Sequence, residues 1–240
     1  MKTLTSRPVI RCQISNSNKM ESLIFLGYLP PVNTLKKVGS TPNEEIFFPA
    51  ELLYCKKSKL AQLGCIVDKK ILFPNAYPYT SSTTKILREN FANLYKDVSK
   101  IIKLDKNDLV VDVGSNDGNL LSNFRGKHRV LGVTPEKIGK IAIKKGIPTI
   151  IDYFDTTTVS KIINKFGKAK VITATNVFAH IDDINNIVRL IKKTLKKDGV
   201  FISESHYLLP LIQTVQYDTI YHEHLRYYSL ESLNFLLKKH

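Results

Sequence analysis

Val110-Val111-Asp112-Val113-Gly114-Ser115-Asn116-Asp117-Gly118-Asn119 passes from an apolar β-branched run straight into a turn with two glycines and the start of a helix. Glycine lets the backbone take positive φ and approach a ligand closely, while the free N–H groups of a helix start favour an electronegative group. The spacing from Gly114 to Gly118 departs from the G-x-G-x-x-G of a dinucleotide site. Such a turn also serves as a plain strand-to-helix connection, so a ligand-binding and a purely structural role both stay open here.

Beyond this turn, short apolar runs alternate with segments of helical period, the pattern of parallel strands joined by crossover helices. Strands are expected at Leu109 to Val113, Val130 to Val133, Thr149 to Tyr153, Val171 to Thr175 and Val200 to Ser203. Helices are expected near Asn119 to Phe124, Glu136 to Lys145, Thr158 to Phe166 and Asp182 to Lys197. In the last of these, Ile184, Ile187, Val188, Ile191 and Leu195 recur at helical spacing behind an acidic pair. Upstream, Ser82 to Leu104 carries an apolar stripe that suits a helix capping the sheet. The fold class is therefore α/β, a parallel sheet with helices on both faces. Residues 1–75 differ in texture, broken by Pro30, Pro31, Pro42, Pro49 and Pro74, and are assigned to a small separate module ahead of a main domain at 76–240.

Composition bounds the rest. The chain has 240 residues, 43% hydrophobic and 24% charged, enough for one good core and a smaller one. No apolar run reaches the roughly 18 residues of a membrane span, and the N-terminus lacks an apolar signal core, so a cytoplasmic location is expected and no membrane partner. Three cysteines make a sparse, odd set that argues against a disulfide scaffold. The formal charge of +15 fits either a surface that attracts polyanions or the Lys, Ile and Asn bias of an AT-rich genome. Arginines are not clustered among aromatics, and no nucleic-acid partner is expected.

In nucleoside-binding α/β domains, an acid at the end of the second strand grips the ribose about 20 residues after the turn. Here that place holds Thr134, with Glu136 two positions on. Either Glu136 takes over, or a charge-assisted hydrogen bond worth roughly 1.5–3 kcal/mol is lost. Glu136 is also placed to interact with a helix dipole.

Asn176-Val177-Phe178-Ala179-His180-Ile181-Asp182-Asp183 and Tyr217-Asp218-Thr219-Ile220-Tyr221-His222-Glu223-His224 resemble two signatures of the nucleotide-sugar C-methyltransferase family. An Asp two places before the first glycine of the turn, as at Asp112, is typical of S-adenosylmethionine (SAM)-dependent methyltransferases. The resemblance implies a Rossmann-like class I fold, a zinc-binding N-terminal module and methylation of carbon next to the ketone of a nucleotide-linked deoxysugar. It places SAM against Asp112, Gly114, Asn116, Asp117 and Gly118, with Thr134, Glu136 and Asn176 alongside. His224 is implied as the base that forms an enolate to attack the SAM methyl, Glu223 as its supporting carboxylate and Tyr221 as a hydroxyl donor. His180 and His222 are implied at the substrate, and so are Tyr77, Tyr79 and Ser81 in a segment that otherwise reads as a turn and helix cap. Asn176 and His180 follow a strand end, where they would line either the methionine end of SAM or the sugar.

Two departures from the family qualify this. Family members carry two Cys-x-x-Cys pairs, whereas Cys12 and Cys55 here are each followed three places on by serine, Ser15 and Ser58. Zinc needs four good ligands, so it is expected to be absent or weakly held, and no metal site is assigned. Family members also continue into a further domain after the region of Ser229 to His240, so the chain is expected to be truncated relative to them. A catalytic chain, a non-catalytic remnant, a chain completed by a partner or a second copy, and a methyltransferase for another small acceptor stay open.

Overall fold

A computed structural model of the chain describes residues 5–33, 35–41, 45–73 and 80–240. Tyr77 and Tyr79 lie outside the described residues. In chain order the strands are β1 (Ser6–Pro8), β2 (Glu21–Leu29), β3 (Phe48–Cys55), β4 (Leu60–Leu63), β5 (Cys65–Val67), β6 (Leu109–Val113), β7 (Arg129–Thr134), β8 (Thr149–Ile151), β9 (Ala169–Thr175), β10 (Leu195–Glu204) and β11 (Arg226–Tyr227). The helices are α1 (Lys69–Leu72), α2 (Lys85–Ile101), α3 (Asn119–Ser122), α4 (Gly139–Lys144), α5 (Thr156–Phe166), α6 (Ile184–Thr194), α7 (Leu208–Gln213) and α8 (Leu230–Lys238). Among the described residues, no helix is long and apolar enough to cross a membrane.

The chain divides into two compact units. One comprises Pro78–Val177 and Asn186–Glu204 and holds a five-stranded sheet in the order β10-β9-β6-β7-β8, every pair parallel. Central β6 is buried along its whole length, which explains why it reads as an apolar run broken only by Asp112 rather than an alternating one. Phe91 and Val98 of α2 pack with Val110, Leu120, Leu121, Phe124 and Val171 in the main core, as the apolar stripe predicts. Each expected strand and helix of this unit is present, β6 with the expected ends and the others with one or both ends shifted. The Asp182-to-Lys197 segment differs most: helix gives way to strand at Leu195, which pairs with Ala169, and the Lys196 ammonium sits 2.6 Å from the Asp108 carboxylate.

The other unit combines Met1–Tyr77 with Phe178–Asn185 and Ser205–His240. A single cut near residue 75 therefore does not separate the compact units. The physical reason is β11, which pairs antiparallel with β4 through Arg226↔Gln62 and Tyr227↔Ala61 and completes the sheet β11-β4-β3-β2. Tyr227 joins Leu52, Ala61 and Leu63 in the apolar cluster beneath it.

Arg226 is 1% exposed, and the unit satisfies its guanidinium with neutral acceptors. Nε donates to the Tyr228 hydroxyl at 3.0 Å, and Nη2 donates to the carbonyls of Phe178 (3.1 Å) and Ile181. Nη1 donates to the Gln13 side-chain carbonyl and to the Asp182 carbonyl at 3.4 Å. The fork thus fixes the 178–182 turn to the last strand. Arg226→Met should cost about 3 kcal/mol or more in denaturant unfolding, because buried carbonyls lose their donors at roughly 1–3 kcal/mol each. Arg226→Lys should recover only part of it, since an ammonium cannot reproduce the planar fork.

Candidate functional site

The glycine turn is built as a rigid corner. Gly114 and Gly118 both have positive φ (+78° and +79°), and neither has room for a side chain. A Cβ on Gly114 would lie 2.3 Å from Val177, and one on Gly118 would lie 2.7 Å from Ile147 and 2.9 Å from Ala142 of α4. Asn116 is also left-handed, at φ 48°, and its side-chain oxygen accepts from the backbone N–H of Ser81 (2.9 Å) and Asp117 (3.0 Å). Asp117, 1% exposed, accepts from the Ser81 hydroxyl at 2.6 Å and pairs with Lys145 at 2.9 Å, contacts that hold its carboxyl below the usual range against the opposing effect of burial. Ser81 therefore belongs to the corner of the parallel-sheet unit.

Asp112 is 2% exposed and accepts from the Thr173 hydroxyl at 2.6 Å, across β6 and β9. Burial raises its pKa to about 7, opposed by that hydrogen bond. The side chains of Asp112, Asn116 and Asp117 are thus occupied in holding the corner, a structural task that the sequence reading, which assigned them to the cofactor, did not give them. The Ser115 hydroxyl is buried with no hydrogen-bond partner among the described residues, a polar atom in the turn that suits a ligand.

At the carboxyl edge of the same sheet, the fully buried Thr134 donates its hydroxyl to the Glu136 carboxylate, which stays half-exposed. On the far side Asn176, with φ 56°, is exposed and donates to Glu204 Oε1 at 3.1 Å, and Asn90 donates to Glu204 Oε2 at 2.9 Å. Glu204 was missed by the sequence reading, although it ends β10 at the edge where open α/β sheets place ligands. Ser115, Gly114, Glu136, Asn176 and Glu204 together offer a buried hydroxyl, close-approach backbone and carboxylate acceptors, which fit an adenosine-containing cation such as SAM.

His180, His206, His222 and His224 belong to the other unit. His224 is 5% exposed, with Nδ1 3.0 Å from the Thr219 carbonyl and Nε2 3.1 Å from the Tyr221 hydroxyl. A carbonyl only accepts, so Nδ1 carries the proton of the neutral ring and Nε2 is left with its lone pair toward Tyr221. The orienting acceptor on Nδ1 is Thr219 rather than the Glu223 carboxylate that the resemblance implies. Glu223, 3% exposed, accepts from Asn33 at 2.5 Å. His180 and His206 flank His224 with ring centroids 5.0 and 4.9 Å away, and Tyr221 lies 4.2 Å away. His206 is a further member that the sequence reading missed, and its position just after β10 mirrors that of His180 after β9. His222 instead faces Pro49 and Phe48: its Nε2 is 3.2 Å from the Pro49 carbonyl, and its Nδ1 has no partner among the described residues.

Burial lowers the His224 pKa to about 3, with His180 and His206 pushing the same way. Burial likewise raises Tyr221 to about 12, helped by the Glu223 charge. His224 is therefore neutral in the folded protein over the whole physiological range. Between its unfolded value of 6.5 and about 3 the unfolded chain binds the extra proton, so the ring's contribution to stability is intact above pH 6.5 and is lost as pH falls. Comparison of His224→Asn with the parent by denaturant unfolding at neutral and mildly acid pH should show a shallower acid loss in the variant.

Cys12, Ser15, Cys55 and Ser58 come together in the unit that holds the N-terminal strands. Cys12 Sγ lies 3.1 Å from Ser58 Oγ, and Ser15 Oγ lies 3.5 Å from Cys55 Sγ. Burial raises the Cys55 pKa, but hydrogen bonds from Ser15 and Ser58 outweigh it and leave the thiol at about 7. Cys65 stands apart in β5. Two thiols and two hydroxyls do not fit a closed zinc site, which takes thiolate or imidazole ligands. Among the described residues, no group of three or more His, Cys, Asp or Glu side chains is arranged to hold a metal.

The family model described as a methyltransferase domain matches residues 85–240, and one described as a zinc binding domain matches residues 12–73. The C-methyltransferase NovU of Streptomyces niveus is 30% identical over 236 residues, covering 98% of this chain and 56% of that protein. The chain thus spans about half the length of this curated relative. The YcgJ protein of Bacillus subtilis shares the fold, with a TM-score of 0.51 at 20% identity over 63% of this chain and 67% of its own. With a parallel sheet, a glycine corner of the expected spacing and a family match over residues 85–240, the chain belongs to the SAM-dependent methyltransferases.

Proposed function

We propose that the chain is a C-methyltransferase acting on the carbon next to the ketone of a nucleotide-linked deoxysugar. The observation that carries this reading is the fixed tautomer of His224. Removal of a proton alpha to a carbonyl needs a neutral base with an unprotonated nitrogen and a hydroxyl near the oxygen that gains charge. His224 Nε2 and the Tyr221 hydroxyl, 3.1 Å apart, are that pair. Bound SAM supplies an electrophilic methyl group. Glu136, held by Thr134, serves the ribose hydroxyls in place of an acid on the strand itself, and Gly114, Ser115 and Asn176 line the rest of the cofactor. The match to a C-methyltransferase supports carbon rather than oxygen or nitrogen as the acceptor.

In this reaction His224 takes the proton at Nε2 while Nδ1–H stays on the Thr219 carbonyl, so the imidazolium forms without reorienting the ring. Tyr221, too weak an acid to ionise at neutral pH, donates to the developing enolate oxygen. His180 and His206 flank the ring.

The chemistry separates from the cofactor in deuterium wash-out. A nucleoside-diphosphate keto-deoxysugar in heavy water should exchange its alpha proton with the parent chain, and His224→Ala should slow exchange about 100-fold or more, leaving SAM affinity unchanged. Exchange that survives His224→Ala would move the base to another group. Calorimetric titration with SAM should show binding, weakened roughly 10-fold or more by Glu136→Ala as a charge-assisted hydrogen bond is lost. Failure of the parent chain to bind SAM would favour a non-catalytic remnant instead.

A further inference from the structure

We propose that Cys12, Ser15, Cys55 and Ser58 form a hydrogen-bonded thiol–hydroxyl quartet that ties two loops together without a metal ion. The two segments have the same spacing, Cys12-x-x-Ser15 and Cys55-x-x-Ser58, and the pairing is reciprocal. The Ser58 hydroxyl meets the thiol of the first segment and the Ser15 hydroxyl meets the thiol of the second, across 46 and 40 residues of chain. Both segments are tight turns. Cys12 N–H donates to Ser17 and the Cys12 carbonyl accepts from Asn16, which has φ 60°, while Lys59 at φ 55° lets the chain turn from β3 into β4. The Ser15 N–H also lies 3.5 Å from Cys12 Sγ.

Cys12, Cys55 and Ser58 are nearly or fully buried, at 2%, 0% and 1% exposure. A metal holding only two of four such positions would leave its coordination open beside two buried thiols. A hydroxyl both donates and accepts, so serine satisfies a buried thiol without adding charge, which four thiolates could do only around a cation. The region matched by a zinc binding domain, residues 12–73, thus keeps the convergent geometry and replaces the ion with hydrogen bonds.

The test compares three forms of the whole chain. Purified from zinc-supplemented medium, the parent should hold far less than one equivalent of zinc and melt at the same temperature with and without chelator. Ser15→Cys with Ser58→Cys should take up about one equivalent, show the thiolate-to-cobalt absorption when loaded with Co2+, and melt lower when chelated. Ser15→Ala with Ser58→Ala should melt a few degrees below the parent, with no effect of chelator. Stoichiometric zinc in the parent would overturn the proposal. So would a folded double-cysteine form that binds no metal, because the four positions would then not converge, or a double-alanine form as stable as the parent, because the hydroxyls would then hold nothing.

Discussion

A guanidinium taken out of water must have its donors met, and at Arg226 this requirement organises one whole unit. Among the described residues no carboxylate answers it; the partners are main-chain carbonyls of the turn that follows β9, a tyrosine hydroxyl and the Gln13 amide. Carbonyls stay fixed as acceptors at every pH, so the tie does not depend on the protonation of a partner. The same turn carries His180, and the segment before Arg226 carries Tyr221 through His224. The buried arginine therefore sets the spacing between His180 and His224, two residues that the chain separates by more than forty positions. The cost of burying the charge is offset only while all acceptors are in place, so errors in this turn are expressed as loss of the unit rather than as a local shift.

The parallel sheet shows the opposite economy. Its corner needs glycine twice, and in both cases for packing as much as for ligand approach: Val177 lies against Gly114, while Ile147 and Ala142 lie against Gly118. Asp112 and Asp117 then lock the corner from inside. A motif read as a binding site is thus also a stiffening device, its backbone tied in as well: the N–H groups of Gly114 and Ser115 donate to the Val133 carbonyl, and that of Gly118 donates to the Ser115 carbonyl. Stiffness serves binding because a corner already in place loses little entropy when occupied.

Legibility in the sequence followed the range of the forces involved. Strands β6, β7 and β9 and helices α2 and α5 are local patterns of apolar residues over five or more positions, and they were readable within a residue or a few at each end. β11, only two residues long, carries no period of its own and exists because β4 offers an edge. Nothing local shows that Ser205–His240 joins the N-terminal strands, nor that a single arginine is fully buried. The resemblance marked His224 and Tyr221, whereas Thr219 escaped it because its contribution to the ring is a backbone carbonyl, which any residue could supply. The serines at positions 15 and 58 were visible as departures, but their reciprocal pairing with the two thiols requires the fold.

The depressed pKa of His224 is at odds with a base only if the resting ring is taken as the reacting one. At about 3, the imidazolium is disfavoured because burial removes its hydration and two neighbouring histidines add no compensating charge. In the proposed reaction the proton arrives as an enolate oxygen gains negative charge, so the missing counter-charge appears in the step that needs it. The same low dielectric that suppresses the lone cation strengthens its attraction to that oxyanion. Tyr221, whose hydroxyl is kept protonated by burial, can then donate to the oxygen rather than compete with it for charge. A stronger resting base in this position would be protonated at neutral pH by its surroundings, and would have no lone pair to offer.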